Sequence, residues 1–293
     1  MSAPDEETAL LGLAPVAPDR TVAYGPHPDQ IVDFYAPRSA AGTPRAVRSG
    51  PVVLLHGGFW RAAYDRRHLS PLAAALARQG LTVALAEYRR VGAGGGAPRT
   101  FEDVAAAIGT AAAETTETAG AHTGGLVVIG HSAGGHLALL AAARPGTPVG
   151  RVIAVSPVAD LARAHELGLS DGAVAELVEG APGRDGDEPS LTQRIAAADP
   201  ARRPPTGLPV TILHGTDDPD VPLDISRRYL AAAAAAVVGG GAATTTLREL
   251  PGVGHYAPVT PGTAAYSTLL DALLRRSGDP SDLRGGVLPP RST

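Results

Sequence analysis

The hydrophobic positions of this chain fall into two kinds of run. Five short stretches are apolar almost without a break: residues 51–55, 81–86, 126–130, 151–155 and 209–213. They are rich in Val, Ile and Leu and lack the every-other-residue polarity of a half-exposed strand. They therefore read as parallel strands covered on both faces. Helical segments lie between them. Residues 70–79 open with Ser70 and Pro71 and close at Gly80, and residues 101–118 have Thr100 as a candidate cap. Further helices are expected from Ser132 through Ala143, over 223–237 and over 263–276. Strands alternating with helices predict an α/β protein with a doubly wound, mostly parallel sheet and helices on both faces. Residues 30–36 are expected to add an antiparallel edge strand.

Three stretches depart from this rhythm. Residues 91–98 form a Gly-rich loop. Residues 158–207, rich in Asp, Gly and Pro, separate two strands and suggest a small lid over the C-terminal edge of the sheet. Residues 231–246 (AAAAAAVVGGGAATTT) are of low complexity, with Gly239–Gly241 ending a helix. The expected domain runs over 19–276. A frayed, flexible segment (1–18) precedes it and a disordered tail (277–293) follows.

Composition narrows the classes of function. The chain has 293 residues, 44% of them hydrophobic, and a formal net charge of −4. It has no basic stripe, so nucleic acid is not an expected partner. It has no Cys, which excludes disulfides, thiolate catalysis and Cys-based metal sites. No apolar run reaches the length of a membrane span, and Asp5, Glu6 and Glu7 replace the basic start of a signal peptide. The expected location is the cytoplasm. No set of His, Asp and Glu has metal-ligand spacing, and no phosphate-binding Gly loop sits at a strand–helix junction. Neither a metal nor another cofactor is expected.

The chemistry lies at the ends of the predicted strands. Gly130-His131-Ser132-Ala133-Gly134 is a G-x-S-x-G between the strand LVVIG and an Ala/Leu-rich helix. A nucleophile on such a sharp turn needs small neighbours. A Ser hydroxyl also needs a base and an acid to orient that base. His214-Gly-Thr-Asp217-Asp218-Pro-Asp220-Val221-Pro222 follows the strand PVTIL. An H-G-x-x-D spacing selects Asp218 as the acid, with Asp217 as the adjacent alternative. Gly252-Val-Gly254-His255-Tyr256 then offers His255 as the base, in a loop after TTTLREL. The tetrahedral intermediate of acyl transfer needs N–H donors. His56-Gly57-Gly58-Phe59-Trp60, directly after PVVLL, assigns these to Gly58 and Phe59, joined by Ala133. Trp60 and Tyr256 are candidate aromatic contacts for substrate.

HGGFW, AEYRR at 86–90, GHSAGG, HGTDDPDVP and GVGHY together resemble the α/β-hydrolase esterases of the hormone-sensitive-lipase and arylformamidase group. The aromatic H-G-G-x-W form is similar to kynurenine formamidases. The resemblance spans roughly residues 22–276 and implies an α/β-hydrolase fold with a Ser132–Asp218–His255 triad. It implies a small-molecule ester or N-formyl aryl amide as substrate, with N-formylkynurenine as the narrowest form. Glu87, Tyr88 and Arg89 would form a buried ionic group beside the site. A homodimer is one assembly to expect.

Overall fold

The computed structural model describes residues 3–38, 50–119, 125–180, 189–205, 207–237 and 245–274. Its centre is one sheet of eight strands: β1 (Arg20–Ala23), β2 (Ile31–Tyr35), β3 (Val52–Leu55), β4 (Val83–Ala86), β5 (Leu126–His131), β6 (Val149–Val155), β7 (Val210–Gly215) and β8 (Thr245–Leu250). The spatial order is β1-β2-β4-β3-β5-β6-β7-β8. Strands β3 through β8 run parallel, while β1 and β2 are antiparallel to their neighbours.

The unbroken apolar runs are explained by two cores. Val53, Leu55, Ala84, Val128 and Ile212 point into one layer. The alternate residues Val52, Leu54, Val83, Val127 and Leu213 point into the other. The first layer is covered by α3 (Arg99–Ala119), α4 (Ala133–Ala142) and α8 (Leu223–Ala235), through Ile108, Leu137 and Tyr229. The second is covered by α2 (Ser70–Arg78) and α9 (Ala264–Leu274), through Leu72, Leu76 and Leu269. A strand that buries both faces has no polar side to show, so its pattern carries no alternation.

The antiparallel strand expected near residues 30–36 is present, but it is not the edge. β1 pairs outside it. Three of the four β1 residues are exposed, so β1 leaves no apolar run to read. Helix α3 begins at Arg99, one residue before the expected cap. The Thr100 hydroxyl instead accepts from the Gly96 N–H and donates to the Arg89 carbonyl, tying down the Gly-rich loop.

The N-terminal segment differs most from expectation. In place of a frayed end it carries α1 (Ala3–Leu11). Leu10 is buried in the second layer, and Glu6 is buried against the loop that holds His255. The Val16 N–H donates to Ser70, and the Tyr35 hydroxyl donates to the Val16 carbonyl. These contacts are long-range in sequence, which is why local composition does not reveal them.

In the stretch 158–207 the described residues form α5 (Leu161–Glu166), α6 (Ala173–Val178) and α7 (Leu191–Ala198). Arg61 pairs with Glu176 at 2.8 and 2.9 Å, joining α6 to the loop after β3. The expected tail at 277–293 and the helix stop at Gly239–Gly241 lie outside the described residues.

Candidate active site

The strand order changes direction at β3. The chain turns outward from β3 to β4, and then returns to place β5 on the other side. A crevice forms outside the carboxyl ends of the strands at such a switch point. The loops after β3 and β5 carry HGGFW and GHSAG, so both motifs reach the same place.

Ser132 sits between β5 and α4 with φ 56° and ψ −119°. This backbone conformation is costly for any residue with a side chain. The surroundings hold it there. The Ser132 N–H donates to the Val155 carbonyl, and its own carbonyl accepts from the N–H groups of Gly135, His136 and Val158. A Cβ on Gly134 would lie 2.2 Å from the Leu55 carbonyl oxygen. The glycine of the motif is therefore required by the approach of α4 to the end of β3.

In the loop after β3, Gly58, Phe59 and Trp60 have φ of 105°, 48° and 59°. Three successive positive φ values turn the N–H groups out of the strand ladder. Those of Gly58 and Phe59, together with that of Ala133, donate to no acceptor among the described residues. A buried ionic group holds the start of this loop. His56 Nε2 donates to Glu87 Oε1 at 2.8 Å, and His56 Nδ1 faces the Gly57 carbonyl at 2.8 Å. The Tyr88 ring stacks on His56 at 4.4 Å and its hydroxyl donates to the His56 carbonyl. Arg66 and Arg90 also approach Glu87. Arg89 turns away to Asp103. Burial acts to raise the Glu87 pKa. His56, Arg90 and the Arg66 N–H outweigh it and hold the value at about 2.

At the end of β7 the structure separates the two candidate acids. Asp217 is exposed and accepts from the Thr216 hydroxyl. Asp218 is buried, and its Oδ2 accepts from His255 Nδ1 at 2.7 Å. Its Oδ1 accepts from the N–H groups of Asp220 and Val221. His214 stands behind it, 3.4 Å from Oδ2, held by the Val221 carbonyl and the Ser226 hydroxyl. Burial alone would raise the Asp218 pKa. His255 and His214 reverse this and hold it far below the usual carboxylate range.

With Nδ1 on the carboxylate, Nε2 is the His255 atom left to take a proton. His131, beside Ser132, donates from Nε2 to the His255 carbonyl at 3.1 Å. Its ring lies 4.6 Å from that of His255. Burial and the neighbouring His255 keep the His131 pKa well below its ordinary value. Asp218, Asp220 and His255 offer ligand atoms within 4.8 Å of one another. Two of the three groups already bond each other.

A narrow cavity of about 50 Å³ joins these parts. Gly58, Phe59, Ser132, His255 and Tyr256 line it. Trp60 does not. It is 1% exposed and packs edge-on against His136 at 5.2 Å, so its expected contact with substrate is corrected to a core role. Trp60 is turned inward while Phe59 stays at the cavity. Four further lining residues belong to no motif that points to them: Glu7, Leu11, Tyr64 and His68. The first two come from α1. None of the described residues of 158–207 lines the cavity, and part of its wall comes from the N-terminal helix.

No helix among the described residues is long and apolar enough to cross a membrane. Residues 32–171 match the family model BD-FAE. A comparison with curated proteins finds no match. Several solved structures are similar throughout. Esterase B from Lactobacillus rhamnosis is 22% identical with a TM-score of 0.69, covering 93% of this chain and 91% of its own. A truncated carbohydrate esterase from gut microbiota is 19% identical with a TM-score of 0.68, covering 89% and 98%. An esterase from Thermogutta terrifontis is 22% identical with a TM-score of 0.62, covering 89% and 94%. These likenesses extend over most of the eight-stranded, mostly parallel sheet structure, and the chain has the α/β-hydrolase fold.

Proposed function

We propose that the protein is a serine hydrolase that cleaves small carboxylic esters through an acyl-enzyme. One observation carries this reading. The His255–Asp218 pair, at 2.7 Å, opens on the same cavity as the strained Ser132. His255 Nε2 takes the Ser132 proton as Oγ bonds to the substrate carbonyl carbon. The former carbonyl oxygen becomes an oxyanion facing the N–H groups of Gly58, Phe59 and Ala133. The bond to the leaving oxygen breaks, and His255 returns the proton to the alcohol. Water then repeats the sequence and frees the acid. Each oxyanion donor contributes on the order of 10²–10³ in rate in enzymes of this type.

The similar structures point the same way. Esterase B is described as inhibited by a tributyrin phosphonate, and the Thermogutta esterase as phosphonylated by sarin. For this chain the corresponding site of phosphonylation would be Ser132.

A second reading, an aryl formamidase acting on an N-formyl aryl amide such as N-formylkynurenine, has its own support. The cavity is small, and the rings of Phe59, Tyr64 and Tyr256 line it. Formyl is the smallest acyl group, and these rings suit an aryl leaving group. The test compares kcat/KM for N-formylkynurenine with that for p-nitrophenyl acetate and butyrate, with Ser132→Ala as control. Ester turnover abolished in the variant supports the esterase reading. A formamide value far above the ester values supports the formamidase. Turnover retained by Ser132→Ala overturns both.

A further inference from the structure

Helix α1 reaches the active site through three residues. Glu6 is 3% exposed. Its Oε1 accepts from the Gly254 N–H at 2.9 Å, and its Oε2 from the N–H groups of Tyr256 and Ala257 at 3.2 and 3.0 Å. These donors flank His255 on both sides. Glu7 and Leu11, on the same helix, line the cavity.

Glu6 has no cationic partner among the described residues. Taking a carboxylate out of water is costly unless hydrogen bonds replace its hydration. Here all the replacement comes from one loop, the loop of the base. Gly254 shows how close the approach is, since a Cβ there would lie 2.8 Å from Glu6 Oε2. The second glycine of GVGHY is therefore a space left for a residue 248 positions earlier in the chain. His255 is then held at three points. Asp218 holds its ring, His131 holds its carbonyl, and Glu6 holds the amides beside it.

We propose that Glu6 is a positioning residue for the general base, and that helix α1 is a working wall of the active site. A base must sit within a few tenths of an ångström of its productive position, and small displacements are expensive in rate. The inference rests on the serine-hydrolase reading above.

The test uses the full chain with Glu6→Gln, which keeps size but replaces one acceptor oxygen with an NH₂ group facing loop N–H donors. The expected result is a folded protein with kcat lowered about 10- to 100-fold and KM changed less than about threefold. Labelling of Ser132 by a fluorophosphonate should slow by the same factor as kcat. A clip that served only stability would lower the melting temperature and leave both rates at wild-type values in the folded fraction. That outcome overturns the proposal. Gly254→Ala approaches the same contact from the loop side. It should show the same split, and the double variant should be no slower than the worse single one. If Glu6→Gln does not fold, Gly254→Ala decides by the same two rates. A wild-type protein that the probe does not label would overturn the hydrolase reading itself. Labelling of Glu6→Gln at the wild-type rate would overturn only the role of Glu6.

Discussion

His56 and Glu87 bond at 2.8 Å with neither side chain more than 1% exposed, and this pair joins the end of β4 to the first residue of the HGGFW loop. Neither residue lines the cavity. Their effect on chemistry passes through the backbone they hold. Glu87→Gln would leave His56 facing a weaker acceptor and leave Arg66 and Arg90 with less negative charge beside them. Breaking a buried charge pair from one side costs about 3–5 kcal/mol. We expect a fall of several degrees in melting temperature, together with a lower kcat as Gly58 and Phe59 lose their fixed direction. Calorimetry and steady-state kinetics on the same sample would check both.

The same residue sets a pH dependence. The folded Glu87 pKa is about 2, against an ordinary value of 4.5. A lowered carboxylate pKa means that the unfolded chain binds the proton more readily. Stability from this group is then fully present above pH 4.5 and is lost as pH falls toward 2. The contribution is on the order of 3 kcal/mol. Asp218, also lowered, acts in the same direction. Urea midpoints measured between about pH 7 and 3 should fall with acid, and they should fall less steeply in Glu87→Gln.

Ser132 stores backbone strain in the service of its hydroxyl. Ser132→Ala keeps the strained φ of 56° and should abolish turnover with little change in stability. Ser132→Gly should abolish turnover and also raise stability by about 1 kcal/mol, because glycine adopts this conformation at low cost. Thermal melts of the two inactive variants, compared with each other, isolate the strain.

Glu7 is the one carboxylate among the lining residues, and no Lys or Arg among the described residues lines the cavity. His68, the lining histidine on the loop after β3, is kept neutral at pH 7. Burial, with His56 nearby, lowers its pKa to about 4. Aryl acetates bearing a cationic group on a methylene spacer should therefore be turned over faster than matched anionic ones. The ratio should fall roughly three- to tenfold in Glu7→Gln and shrink with added salt, as expected of an exposed charge. A ratio that does not move in the variant would show that Glu7 does not act on the substrate.

Much of the site is legible in the residues alone. GHSAG and HGGF lie at the ends of apolar runs, the His of GVGHY lies in the loop after TTTLREL, and the fold brings all three to one crevice. Local rules make these positions readable: a sharp strand–helix turn needs glycine, and a loop of successive positive φ values needs backbone that can turn. Spacing alone favours Asp218 over Asp217, and the contact of Asp218 with His255 fits that choice. Trp60 is misread from sequence because an aromatic next to a glycine pair gives no sign of which way it turns.

By itself the sequence determined the alternation of strands and helices, the burial of both sheet faces and the motif residues at the strand ends. These are properties of neighbouring residues, and hydrophobic period and turn chemistry report them directly. Tertiary structure alone decided that β1 lies outside β2, that Trp60 packs inward, and that α1 rather than the described part of 158–207 supplies cavity wall. It also decided that Glu6 meets Gly254 across 248 positions. Such contacts depend on which distant segments the whole fold brings together. One Glu among the acidic residues 5–7 looks the same whether it ends in water or against the loop that carries His255.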